Sequence, residues 1–225
     1  MSALSDKEIL RHMKKGNIEI DPFVEANLST SSYDVTLGEW YFREERPKDF
    51  THLYNIWDKA HTERVWGTKA ERAKSAKDIL NGMTLVNIDP NNKLILISPG
   101  ETILAHTQEF IGGRNVITSM MKARSSMGRN FIEVCKCAGW GDVGYVNRWT
   151  MEITNNSTHY TIPLVVGRRI AQLIFFEVGP IRNKSYNDTG KYNTDATLAA
   201  TKRHWKPIMM APQLYKDRDI RKPKR

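Results

Sequence analysis

The chain has 225 residues, of which 34 are Lys or Arg and 25 are Asp or Glu, so its formal net charge is +9. This length is typical of a single domain, and the 40% of hydrophobic residues exclude a largely disordered chain. No apolar run reaches the ~20 residues that a membrane-spanning helix needs, and the charged N-terminus lacks the apolar segment of a secretory signal. Cys135 and Cys137 are one residue apart, so we expect no ordinary disulfide and a cytoplasmic protein.

The N-terminal segment predicts a helix followed by strands. Ser5 and Glu8 have the spacing of a capping box, and the apolar residues that follow fall on one helical face, which predicts a helix over residues 6–15. Alternation of apolar and polar residues then predicts strands over residues 17–20, 32–38 and 40–42.

Residues 43–82 differ from the rest of the chain because they are rich in charge and lack alternation. We interpret them as a partly helical insertion, with a helix predicted over residues 68–80. The chain beyond them predicts strands at 94–97, 102–105, 115–120, 132–136, 149–154, 161–165 and 170–178. Short strands separated by turn residues at intervals of about 8–12 residues indicate a β-sandwich or barrel.

The positive charge is concentrated at the C-terminus. Residues 216–225 contain six Lys or Arg and two Asp, which accounts for +4 of the total +9. A basic tail either binds a polyanion or is a solvated terminus. Because the sequence lacks base-stacking aromatic residues in a basic frame and a recognition helix, we do not expect nucleic acid as a partner.

A cluster of polar residues follows an apolar segment at residues 122–129. Arg124, Ser125, Ser126, Gly128 and Arg129 lie within six positions. Hydroxyl groups and guanidinium groups suit phosphate oxygens, although the same residues are also compatible with a polar turn.

A glycine-rich stretch over residues 138–145 precedes the strand that contains Glu152. Glycine lets a backbone approach a ligand closely, and Tyr145 is placed to cover a sugar or a base. Glu152 lies between Met151 and Ile153, so it faces either solvent or a pocket. In a pocket, burial would raise its pKa and suit it for general acid–base catalysis.

The sequence gives little support for a catalytic zinc site or for a P-loop. His61 and Glu63 match the first half of the zinc deaminase motif, but the P-C-x-x-C half is absent from the sequence. No P-loop motif of the G-x-x-x-x-G-K-[ST] type is present either. We therefore expect no protein-bound zinc.

Along almost its whole length the sequence resembles the dCTP deaminase family of the dUTPase-like nucleotide hydrolases. The matching segments are LSDKEILRHMKKGNIEIDPF, SSYDVTLG, LILISPGETILAHTQEFI, KARSSMGR, AGWGDVGYVNRWTMEITN, VGRRIAQLIFFEV and SYNDTGKY. The resemblance implies a mainly β fold, a distorted jelly-roll barrel with an N-terminal helix. It implies one domain over residues 1–225, with 43–82 inserted and 183–225 forming a C-terminal lid and basic tail.

The resemblance also assigns roles to residues. Glu152 matches the general base that activates water for attack on C4 of cytosine. Ser125 and Arg129 match the groups that hold this base, the water and the leaving group. Asp142 matches an aspartate near the sugar 3′-hydroxyl. The residues expected to contact the substrate are Arg124, Ser126, Ala138, Tyr145, Gln172, Tyr186 and Lys191. The family implies a homotrimer with shared active sites, no metal ligands on the protein, and Mg²⁺ carried by the triphosphate.

The expected reaction is deamination of dCTP to dUTP and ammonia, but Gly139 and Trp140 resemble the pattern of the bifunctional members that form dUMP and diphosphate. A dUTPase without deamination and a nucleotide-sensing or nucleic-acid-binding regulator are the alternatives. The sequence departs from the family pattern by Cys137, Gly141, Val143, Asn147 and Asp195, so we expect local differences in the turn and lid.

Overall fold

The computed structural model describes residues 2–47, 52–182, 186, 190, 192, 195, 197–217 and 219–220. Its helices are α1 (Asp6–Lys14), α2 (Lys59–Trp66), α3 (Ala76–Ile79), α4 (Ser125–Arg129) and α5 (Leu198–His204). Its strands are β1 (Ile18–Asp21), β2 (Leu28–Ser29), β3 (Ser32–Arg43), β4 (Glu71–Arg72), β5 (Lys74–Ser75), β6 (Lys93–Ile97), β7 (Thr102–Gly113), β8 (Ile117–Ala123), β9 (Ile132–Val134), β10 (Trp140–Gly141), β11 (Val146–Asn155), β12 (Ile162–Val165) and β13 (Arg169–Glu177). None of the helices in these described ranges is long and apolar enough to cross a membrane.

The N-terminal helix forms where the sequence predicts it. The Ser5 hydroxyl accepts a hydrogen bond from the Glu8 backbone N–H at 3.4 Å and so caps α1. Ile9 is fully buried on the inner face of this helix. The next strand, β1, pairs with the far end of β7, which attaches the N-terminal segment to the main sheet.

The main sheet has the strand order β10-β8-β13-β3-β7-β11-β9, and all of these neighbours are antiparallel. Residues 33–36 of β3 pair with β13, whereas residues 37–43 of the same strand pair with β7. Because one long strand belongs to both halves, the sheet curls around a single core. The core includes Tyr33, Leu37, Ile111, Met151 and Phe175. This arrangement confirms the expected mainly β, barrel-like fold.

The insertion is partly helical, as expected, but the helix predicted over residues 68–80 is wrong. The structure forms α2 earlier, where the Asp58 carboxylate accepts hydrogen bonds from the first backbone N–H groups and Gly67, with a φ of 72°, ends the helix. Within 68–80 the chain instead forms β4, β5 and the short α3. Arg72 pairs with Trp40 of β3 and Lys74 with Leu94 of β6. Sheet pairing has therefore overridden the helical propensity of an Ala- and Lys-rich segment.

The C-terminal segment packs against β7 and β11. The centroid of the Trp205 ring lies 4.8 Å from that of the His106 ring, and the Arg148 guanidinium lies 4.6 and 4.8 Å from the centroids of the Trp205 and Phe110 rings. Burial lowers the pKa of His106 to about 4, so this packed imidazole is neutral at pH 7. The 3₁₀ turn that follows places Met210 in a buried position beside β7.

Candidate active site

A cavity of about 490 Å³ lies beside β11, a volume within the range of small-molecule sites. Its walls combine predicted site residues with residues from the insertion and the C-terminal segment. The lining residues are Trp66, Leu104, Ala138, Trp140, Asp142, Tyr145, Trp149, Thr150, Glu152, Tyr186, Tyr192, Met210 and Pro212. The fold thus brings together Ala138, Asp142, Tyr145, Glu152 and Tyr186 from among the residues that the sequence selected.

Glu152 faces this cavity because of the alternation of β11. Met151 and Ile153 are fully buried in the core, so Glu152 between them lies on the opposite face of the strand, which is the face that lines the cavity. Leu104 is its cross-strand partner on β7. Burial raises the pKa of the Glu152 carboxyl, although the charge of Lys136 partly opposes this effect. A carboxylate with a raised pKa beside a cavity is suited to accept and return a proton.

A β-bulge shapes one wall of the cavity. The pairing of β11 with β7 shifts between Arg148 and Thr150, and a bulge re-aims the side chain at that point. The Trp149 backbone N–H donates to the Thr107 hydroxyl at 3.0 Å, and its indole N–H donates to the Ile111 carbonyl at 2.9 Å. In a regular strand Trp149 and Glu152 would face opposite sides, but here both line the cavity.

Gly141 is explained by the position of Trp149. A Cβ at this residue would overlap the Trp149 ring and would lie 2.8 Å from the Ser119 hydroxyl. The glycine that departs from the family pattern is therefore required by the close approach of β10 to the bulged tryptophan.

Three aromatic rings form a corner of the cavity. Tyr145 packs edge-on against Trp149 and against Tyr186, with ring centroids 5.1 Å apart in both pairs. The Tyr186 backbone N–H donates to the Val143 carbonyl at 2.9 Å, which holds this tyrosine beside the glycine-rich hairpin. Burial raises the pKa of Tyr145, so its hydroxyl remains protonated at pH 7.

The departure at Asn147 has a structural consequence. This buried amide donates a hydrogen bond from Nδ2 to the Tyr192 carbonyl at 3.2 Å, while its Oδ1 accepts one from the Arg148 backbone N–H at 2.8 Å. Tyr192 lines the cavity. A glycine at position 147 would lack this link between β11 and the C-terminal segment.

Ala138 follows a turn of unusual backbone conformation. Cys135, Lys136 and Cys137 all have positive φ angles, of 71°, 35° and 65°. The Cys135 sulfur is buried against the Met121 sulfur at 3.1 Å, and burial raises the thiol pKa to about 12. This cysteine therefore acts as a packing residue at neutral pH. The turn leaves Ala138 exposed at the edge of the cavity, and Asp142 is exposed further along the same hairpin.

The other predicted residues that the structure describes do not line this cavity. Ser125, Ser126 and Arg129 are exposed on α4, and none of them lines the cavity. Arg124 forms an ion pair with Asp34 at 3.3 Å, and Gln172 donates to the Ser32 hydroxyl at 3.3 Å. Lys191 lies outside the described residues. Within one chain, the predicted site residues thus fall into two separate groups.

Several residues of the site were not selected from the sequence. Trp66 reaches the cavity from the insertion, and Met210 and Pro212 reach it from the C-terminal segment. Asp34, which is almost fully buried, holds both Arg124 and Arg169 through one carboxylate oxygen. Asp34 could have been selected from the sequence, because it is an acidic residue within a predicted strand. Trp66, Met210 and Pro212 could not, because contacts between distant segments bring them to the cavity.

The described residues include no group of three or more His, Cys, Asp or Glu side chains that could hold a metal ion. The carboxyl groups that line the cavity are those of Asp142 and Glu152.

The fold is mainly β, and its candidate site is a cavity lined by two carboxyl groups, of which Glu152 is the partly buried one. Residues 3–178 match the protein family described as dCTP deaminase-like. The chain belongs to this family.

The relatives of the chain have consistent names. A "dCTP deaminase, dUMP-forming" from Hydrogenobaculum sp. is 34% identical, over 79% of this chain and 84% of the relative. An enzyme of the same name from Beutenbergia cavernae is 28% identical, over 90% of this chain and 95% of the relative. Among solved structures, the 2′-deoxycytidine 5′-triphosphate deaminase from Agrobacterium tumefaciens matches with a TM-score of 0.52 and 15% identity, over 79% of this chain and 48% of that chain. That likeness shows the fold.

Proposed function

We propose that the protein deaminates the cytosine of dCTP and then hydrolyses the product to dUMP and diphosphate. The observation that carries this proposal is Glu152, a carboxyl group of raised pKa on the wall of a 490 Å³ cavity. The same cavity holds the hairpin residues Ala138, Asp142 and Tyr145, which match the family's nucleotide contacts. Membership of the dCTP deaminase-like family and the names of the relatives support it.

In the proposed deamination, the Glu152 carboxylate takes a proton from a water molecule, and the resulting hydroxide attacks C4 of cytosine. Addition of the hydroxide leaves N3 of the ring negatively charged, and N3 takes the proton of the new hydroxyl group as the tetrahedral carbon collapses to a carbonyl. Glu152 returns the proton to the departing amino group, which leaves as ammonia, so that one water is consumed and the carboxylate is restored. Partial burial supports this role, since a carboxyl group with a raised pKa is a better proton acceptor than one in water.

The second proposed step is attack of water on the α-phosphate of the dUTP formed. Asp142 is exposed at the edge of the cavity, where its carboxylate is available to a sugar hydroxyl and a water molecule. The relatives from Hydrogenobaculum and Beutenbergia are named as dUMP-forming. Together with the Gly139-Trp140 pair, these names favour dUMP over dUTP, the main expectation from the sequence, as the final product.

We propose that the cavity is completed by a second copy of the chain. Ser125, Ser126 and Arg129 are exposed on α4 and do not line the cavity of their own chain. Exposed hydroxyl and guanidinium groups suit a triphosphate brought by a neighbour, and a closed homotrimer supplies such a neighbour to every site.

Mg²⁺ is proposed to arrive on the triphosphate. This hard cation prefers oxygen ligands and commonly binds substrate phosphates together with one or two carboxylates. Asp142 and Glu152 are the carboxyl groups of the cavity, and Asp142 is the exposed one. This donor set fits a metal that is held mainly by the nucleotide.

The experiment is product analysis. Purified protein is incubated with dCTP and Mg²⁺, ammonia is measured, and nucleotides are separated by anion exchange, with dUTP as a parallel substrate. We expect ammonia, dUMP and diphosphate in equal amounts from dCTP. Accumulation of dUTP would support deamination but contradict the proposed hydrolysis of dUTP to dUMP and diphosphate. Absence of ammonia would contradict the proposal, and turnover of dUTP alone would identify a dUTPase.

A further inference from the structure

The insertion contributes an aromatic side chain to the cavity that contains Glu152. Trp66 is the last residue of α2 and lines the cavity with Met210 and Pro212 from the C-terminal segment. It is partly exposed, so part of its indole surface is accessible from the cavity. We propose that Trp66 binds the base of the nucleotide by stacking on the pyrimidine ring; this inference rests on the proposed function.

The position of Trp66 relative to Glu152 follows from the packing of the cluster around it. Trp66 packs against a small apolar cluster that contains Phe42, Leu104 and Met210. Leu104 is the cross-strand partner of Glu152 in the pairing of β7 with β11, and directly paired side chains lie on the same face of a sheet. Trp66 therefore lies on the Glu152 side of the sheet, where the base must be for attack at C4.

Trp66 differs from the other tryptophans of the cavity. Trp149 packs edge-on against Tyr145 with its indole N–H bonded to a carbonyl, and Trp140 stacks on Phe176 with the centroids 6.4 Å apart. Within the described part of the chain, Trp66 makes no such ring contact. Its indole packs against the cluster of Phe42, Leu104 and Met210 and also lines the cavity, and the part that lines the cavity is the surface on which a base would stack.

The backbone around Trp66 is held before any ligand binds. The Glu45 backbone N–H donates to the Val65 carbonyl at 2.7 Å, which ties the end of α2 to the segment after β3. At the other end of the helix, Asp58 caps the first backbone N–H groups. A stacking side chain on a fixed backbone loses less freedom on binding than one on a mobile loop.

The experiment compares substitutions that separate stacking from packing. Trp66→Leu keeps an apolar side chain against Leu104 and Met210 but removes the aromatic face, and Trp66→Phe keeps a smaller aromatic face. Trp57→Ala is the matched control, since Trp57 lies in the same insertion, is 49% exposed and does not line the cavity. KM and kcat are measured with dCTP. Kd is measured by calorimetry in a Glu152→Gln background, where turnover does not interfere.

We expect Trp66→Leu to raise the KM and Kd for dCTP about tenfold, the effect typical of losing one base–aromatic stack, with kcat little changed. Trp66→Phe is expected to recover most of the affinity, and Trp57→Ala to match the wild type. If Trp66→Leu does not fold, Trp66→Met provides the same apolar, non-aromatic comparison.

Two results would overturn the inference. If the leucine or methionine variant bound dCTP as tightly as the phenylalanine variant, Trp66 would serve packing alone. If the wild type turned over dCTP and the leucine variant kept its KM, the inference would fail while the proposed function stood. Absence of any ammonia from the wild type would overturn both.

Discussion

The cavity around Glu152 and the exposed helix α4 contain the two halves of the predicted site, and they are built in opposite ways. The cavity is assembled from β11, the glycine-rich hairpin, the insertion and the C-terminal segment, and its key carboxyl group is partly buried. On α4, Ser125, Ser126 and Arg129 project into solvent. A partly enclosed cavity with aromatic walls suits a base, whereas exposed cations and hydroxyls suit a triphosphate. Under the proposed function, each half binds a different part of one nucleotide.

The two regions also differ in what they do to stability. An exposed guanidinium, such as that of Arg129, carries little energetic penalty. A carboxylate in a partly buried position is disfavoured in its charged form, which is why the pKa of Glu152 is raised. The cavity thus holds a group whose chemistry opposes the stability of the fold, and this is typical of functional sites.

The largest effect is expected from Glu152→Gln. Loss of the general base should lower kcat for ammonia release by ~10²–10⁴-fold, while dCTP still binds because the cavity keeps its shape. Asp142→Asn is the matched control, and we expect it to retain ammonia release while dUTP hydrolysis falls. Turnover of Glu152→Gln at the wild-type rate would show that the cavity is not the catalytic half.

The pH dependence of activity should report the raised pKa of Glu152. The base must be deprotonated, so kcat/KM is expected to fall as the pH decreases through that pKa, with the acid limb above the ordinary carboxyl value of 4.5. A profile measured from pH 4 to 9 checks this. An acid limb at or below 4.5 would indicate a base that is fully solvated.

The same pKa gives a prediction for stability. Burial favours the protonated carboxyl in the folded state, so the contribution of Glu152 is most favourable below its unfolded pKa and is lost as the pH rises through its folded pKa. Glu152→Gln should therefore have a higher Tm than the wild type at pH 8, with the difference shrinking towards pH 4. Calorimetric scans at both pH values test this, and a lower Tm for the variant at pH 8 would contradict it.

A smaller effect is expected at Gly141. A methyl group there would overlap the Trp149 ring, so Gly141→Ala should lower the free energy of unfolding by about 1–3 kcal/mol. Gly179→Ala is the control, since nothing lies within 4 Å of the added carbon. Urea denaturation of both variants gives the comparison, and equal midpoints would show that the hairpin is not tightly packed on the bulge.

Local patterns were sufficient for much of the fold. The capping box at Ser5 and Glu8 located α1, and the alternation around Met151 and Ile153 located β11. Local patterns failed where a distant segment decided the outcome. The Ala- and Lys-rich residues after Gly67 form short strands because β3 and β6 pair with them. The bulge at Trp149 has no counterpart in the hydrophobic pattern.

The candidate site shows the same limit. Alternation placed Glu152 away from the core, but it could not tell whether that face meets water or a cavity. The answer depends on Trp66 and Met210, which cover it from segments far away in sequence. The resemblance to a family named Glu152 as a general base, and Glu152 does line the cavity, whereas α4 of the same chain does not.

A mixed-subunit experiment tests most directly whether the two halves come from different copies of the chain. Glu152→Gln and Arg129→Ala variants with different tags are co-expressed, oligomers containing both tags are purified, and ammonia release is compared with that of each parent. If α4 of one copy completes the cavity of another, one of the three sites in every trimer that contains both variants carries both native side chains. We therefore predict activity near one third of the wild-type value from two nearly inactive parents. Mixed oligomers as inactive as the parents would contradict the shared site.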